Sequence, residues 1–109
     1  MIEGARTAMG TKTNGAIPEG WYEPDEELHR QEMVEELQEE VGEGHVLKGL
    51  NVRLVARYRG TDDALYALDD GRIAQVHLTW SDEMETDPRF PATSVFPSFE
   101  AWLSFWNSL

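Results

Sequence analysis

The sequence predicts an α+β domain of order α-β-β-β-α, a three-stranded antiparallel meander with both helices packed on one face. Three observations carry this reading. Residues 23–44, "EPDEELHRQEMVEELQEEVGEG", repeat apolar side chains at helical spacing. Residues 50–80 alternate with period two and are broken by "TDD" and "DDG". The closing "SFEAWLSFWNSL" returns to helical spacing. At 109 residues the chain is one domain. A chain of that size buries roughly two thirds of its unfolded surface, enough for one core of two packed layers.

Residues 1–20 hold four Gly, three Thr and one Pro, with no apolar period. Such a segment cannot offset its own ordering entropy, so it is expected to be a flexible leader ahead of a domain at 21–109. In the first helix, Pro24 suits the first turn, and Asp25, Glu26 and Glu27 suit the positive end of the dipole. Met33, Val34, Leu37 and Val41 form a stripe about 100° wide, with Glu32, Glu35, Glu36, Glu39 and Glu43 opposite. Gly42 and Gly44 end it. Between Glu23 and Glu43 stand ten acids and one arginine, Arg30. Most of the molecule's charge therefore lies on one element, a solvated face first and a docking surface second.

The strands follow: "NVRLVARY", "ALYAL" and "RIAQVHLTW". "DDG" carries the Asp-Gly signal for a two-residue type I′ turn. If Asp70-Gly71 is that loop, Leu68 pairs with Ile73, Tyr66 with Gln75 and Ala64 with His77. One face then carries Leu65, Ala67, Ala74, Val76, Leu78 and Trp80, with Val52, Leu54, Ala56 and Tyr58 from the first strand. That face is the expected core. The other would hold Arg57, Tyr66, Gln75, His77 and Thr79, with Val55, Leu68 and Ile73 near the turn. Residues 82–97, with Pro88, Pro91 and Pro97, read as an irregular connection. Ser98 reads as the N-cap of a helix whose stripe is Phe99, Trp102, Leu103 and Trp106.

Charge bounds the function. Twenty-one acids against nine Lys and Arg give a net of −12. That field disfavours DNA, RNA and anionic membrane surfaces, permits basic protein partners, and also occurs in salt-adapted proteins. With no cysteine, disulfides, thiolate metal sites and cysteine nucleophiles are excluded. No apolar run approaches the ~20 residues of a membrane span, and no secretory signal opens the chain. A cytoplasmic protein without a cofactor is the expectation. His77 has no nucleophile beside it by any motif, and the assumed hairpin gives it no carboxylate. His29, His45 and His77 lack the short spacings of a metal site. Asp82, Glu83, Glu85 and Asp87 alternate as calcium loops do but lack the glycine and closing glutamate such loops need.

The runs "LYALDDGRIAQVHLTWS" and "DPRFPATSVFPSFEAW" resemble a family of small uncharacterised bacterial domains with an LDDGR-x-A-x-VHLTW hairpin and a C-terminal aromatic helix. The resemblance runs from the strands to the end of the chain and implies fold and relatedness, with no activity attached. In size and acidity the chain also resembles immunity proteins that neutralise toxins, a likeness of composition without a motif. The expected function is a non-enzymatic protein-interaction module, of immunity or antitoxin type in its most specific form. Its expected contact face is Arg57, Tyr66, Gln75, His77 and Thr79, taking another protein or a second copy in a homodimer. Exposed mixed faces of this kind mark interaction sites. The alternative is a small enzyme or ligand-binding protein with its site at Arg57, Tyr66 and His77.

Overall fold

The computed structural model describes residues 17–81 and 83–109. The elements are β1 (Trp21–Tyr22), α1 (Glu27–Glu40), β2 (Val52–Tyr58), β3 (Asp63–Leu68), β4 (Ile73–His77), β5 (Ala92–Phe96) and α2 (Phe99–Asn107). The strands form one five-stranded sheet in sequence order, every neighbouring pair antiparallel. The α+β class holds, but the meander has five strands where three were expected. The leader expectation lies outside the described residues up to position 16. Beyond it, Ile17 packs against the core, and the Gly20 carbonyl accepts from the Arg59 N–H at 2.8 Å.

The helices lie on opposite faces of the sheet, which corrects the expectation of one covered face. Met33 and Leu37 of α1, with Val41 just past its end, pack on Leu54, Ala64, Tyr66, Leu68, Ala74 and Val76. On the far side, Trp102 of α2 packs with Trp21, Val55, Ala56, Leu65, Ala67 and Ile73. Two local features assign these faces. The Leu68 N–H donates to the Arg72 carbonyl at 2.9 Å, and the Gly71 N–H to the Leu68 carbonyl at 3.0 Å. The loop is therefore three residues, Asp69-Asp70-Gly71, with Gly71 alone left-handed at φ +95°. A type I′ turn would need Asp70 left-handed too; a type I turn followed by a left-handed glycine does not. The register moves by one residue, so Tyr66 faces Ala74, Leu65 faces Gln75 and Asp63 faces His77. Such a slip exchanges the two faces of a strand.

The second feature is a bulge in β2. Leu54 pairs with Tyr66 and Ala56 with Leu65, leaving Val55 as the extra residue. Val55 and Ala56 both join the α2 side, and the phase of β2 reverses beyond them. Arg30 of α1 donates to the Leu54 carbonyl beside this bulge. β5 forms within the segment expected to be irregular and pairs along the outside of β4. The Ser98 hydroxyl accepts from the Ala101 N–H at 3.0 Å and caps α2, as its position before the apolar stripe implies.

Candidate functional site

The five expected contact residues do not share one surface. Arg57 lies on the α1 side, where its Nη1 is 3.3 Å from His29 Nε2. Tyr66 is fully buried on the same side and donates to the Met33 carbonyl at 2.8 Å. Burial pushes its phenol above the ordinary 10.0, the Glu40 carboxylate adds to the rise, and Arg57 opposes it. Gln75 and His77 lie on the α2 side, where the Gln75 side-chain oxygen accepts from Trp102 Nε1 at 2.8 Å. Thr79 lies past the end of β4. Val55 and Ile73 join the α2 cluster and Leu68 the α1 cluster, so the expected apolar patch is also divided.

His77 has a carboxylate partner after all. Its Nδ1 stands 2.7 Å from Asp63 Oδ1, the residue the corrected register places opposite it. An acid on one ring nitrogen orients an imidazole as general bases are oriented. The His77 side chain is nevertheless mostly exposed. Arg57 and Tyr66 are on the opposite face, so the three residues of the enzymatic alternative do not converge. A shallow depression of about 220 Å³ lies between Gly49, Leu50, Asn51 and the β3–β4 turn. It is smaller than the ~300–1,000 Å³ of ordinary ligand pockets, and Asp69 and Asp70 line it. Among the described residues, no three His, Asp or Glu side chains stand together as metal ligands do. His45 is engaged by the backbone: Nδ1 accepts from the Leu47 N–H and Nε2 donates to the Pro91 carbonyl, both at 2.9 Å.

A more organised corner lies where the end of α1 meets the connection from β4 to β5. Glu40 is buried, and its two carboxylate oxygens accept from the Thr79 and Trp80 N–H groups, each at 2.8 Å. Its carbonyl accepts from the Glu85 N–H at 3.0 Å. The Glu85 carboxylate accepts from the Thr79 hydroxyl at 2.8 Å and the Ser81 hydroxyl at 3.2 Å. The connection is pressed onto the helix end so closely that a Cβ at Gly42 would run into the Glu85 carbonyl oxygen. Farther along, hydrogen bonds from Arg89 hold Asp87 down at about 2.

This network holds Trp80 in a left-handed conformation, φ 53°. Among the described residues no other non-glycine residue adopts one. The Trp80 side chain is not on the core face, as the alternation predicts, but 43% exposed, with Met84 beside Gly42 and 52% exposed. The signal for Glu40 is legible in the sequence. It stands three residues from Leu37 and seven from Met33, a carboxylate on the apolar stripe. Nothing local announces that it holds Trp80, because the two are joined only in the fold. No family model matches the chain, and neither a curated protein nor a solved structure does.

Proposed function

We propose that the chain is a protein-interaction module without catalytic chemistry of its own, and that the Trp80 turn makes the contact. The observation that carries this reading is the state of Trp80: exposed, left-handed, and held by a buried carboxylate. A left-handed non-glycine residue costs of order 1–3 kcal/mol and persists only where its surroundings over-determine it. Such strain collects at functional sites. Tryptophan is also among the residues that most often anchor protein contacts, and methionine is enriched there. The expected face of Arg57, Tyr66, Gln75, His77 and Thr79 supplies no comparable surface, since a sheet divides it. Thr79 alone belongs to the Trp80 corner.

The test separates fold from function. Trp80→Gly removes the indole and relieves the backbone, so its thermal midpoint should equal or exceed that of the parent. The same substitution should abolish capture of whatever proteins the parent retains from its own cells. A midpoint lowered by several degrees would mean that Trp80 serves the fold. An unchanged captured set would remove Trp80 from the contact.

A further inference from the structure

Residues 90–109 carry one charged side chain, Glu100, in a chain with 28% charged residues and a net of −12. This stretch is β5 and α2. Phe105 of α2 is 42% exposed, and its ring lies tilted 5.1 Å from that of Phe96 in β5. The least charged part of the molecule thus borders one of the two edges of its sheet, the β5 edge.

The hydrogen bonds define that edge. Leu68 N–H to Arg72 and Leu78 N–H to Asp62 turn the even-numbered backbone of β4 toward β3. Alternation turns Ile73, Gln75 and His77 toward β5, where they pair with Phe96, Ser94 and Ala92. Thr93 and Val95 are left with N–H and C=O groups directed outward, and no strand pairs with them among the described residues. Pro91 and Pro97 bracket this outward row and have no N–H to offer.

We infer that the β5 edge pairs antiparallel with the β5 edge of a second copy, Thr93 opposite the partner's Val95, about a two-fold axis at Ser94. The pairing makes four backbone hydrogen bonds and joins two sheets into one. A shift of two residues would set a proline against a residue that needs a donor, so the brackets admit this register and also stop the ladder from growing. The occupant follows from charge. Two chains of net −12 repel wherever carboxylates meet, and this strip lets them touch without such a meeting. A two-fold contact presents the same strip twice, so a surface with so few charges is matched by construction. Phe105 extends the contact with apolar area. The inference is independent of the Trp80 turn, which lies beyond the other end of β4.

Backbone amide exchange, followed by NMR on the full chain from micromolar to millimolar concentration, tests the pairing. Thr93 and Val95 amides should slow at least about tenfold as concentration rises, while Ala92, Ser94 and Phe96 stay protected throughout. Thr93→Pro deletes an outward N–H without touching the β4 ladder and should turn a sedimenting dimer into a monomer. Phe105→Glu sets a carboxylate against its own copy and should weaken the dimer by about tenfold or more. It decides the matter if the proline variant fails to fold. A monomer at millimolar concentration overturns the inference, as does a dimer in which the Thr93 and Val95 amides exchange freely. So does a dimer that survives both substitutions.

Discussion

The two faces of the sheet are built by different means. The α2 side is a packing of rings: Trp21 lies 5.0–5.3 Å from Tyr58, Trp102 and Trp106, most of them edge-on, and its polar tie is Trp102 to Gln75. The α1 side is aliphatic and is positioned by directional bonds, from Tyr66 to Met33, from Arg30 to Leu54 and from the Thr79 and Trp80 N–H groups to Glu40. Ring packing scales with buried area and tolerates small shifts. Hydrogen bonds to carbonyls and N–H groups do not, so the side that must hold a strained turn in place is the side that carries them. Among the described residues, Arg57 Nε and Trp21 Nε1 are buried without a hydrogen-bond partner, one on each face. Neither construction is fully satisfied.

The contrast sets an order of effects. Trp102→Ala removes the fully buried centre of the ring packing and should cost about 3–5 kcal/mol by chemical denaturation. A loss near 1 kcal/mol would mean that α2 rests on the sheet without forming a core. Tyr66→Phe keeps the ring and removes only the bond to Met33, so about 1–1.5 kcal/mol should be lost.

The same residue gives a pH signature. Its folded pKa is raised, so the folded state keeps a proton that the unfolded state releases near pH 10. The contribution is complete below pH 10 and declines as pH rises further. Stability of the parent should therefore fall more steeply above pH 10 than that of Tyr66→Phe. Parallel curves would show that the phenol is not shut in as described. Ser98→Ala, which uncaps α2 without touching either core, should cost about 1 kcal/mol. A cost above that of Trp102→Ala would invert the contrast, making a helix terminus matter more than the rings beneath it.

Much of the architecture was legible, and the parts that were not share a cause. The stripes Met33, Leu37, Val41 and Phe99, Trp102, Trp106 follow from helical spacing alone, and so does the Ser98 cap. "ALYAL" holds a further clue, since five residues without a charge or alternation are the pattern of a strand covered on both sides. Read as one-sided, they send both helices to the same face. The Asp-Gly pair allows a two-residue loop or a three-residue loop ending in a left-handed glycine, and local chemistry does not choose. The longer loop brings Ile73 under α2 and Asp63 to His77, so the choice belongs to the packing. β5 is hidden by its bracketing prolines, and the candidate site is hidden because Glu40 and Trp80 meet only through the fold.

By itself, the sequence determined the helices, the antiparallel order of the central strands, the acidic outer face of α1 and the sparsely charged C-terminal stretch. Each depends on residue spacing or composition within one segment. Only the tertiary structure decided which side of the sheet each strand residue faces, that a bulge at Val55 reverses β2, that β5 joins the sheet, and that a buried carboxylate holds an exposed tryptophan. Strand side chains alternate with period two, so a single residue of slip or insertion exchanges the faces, and the energy that selects one register comes from contacts between segments far apart in the chain.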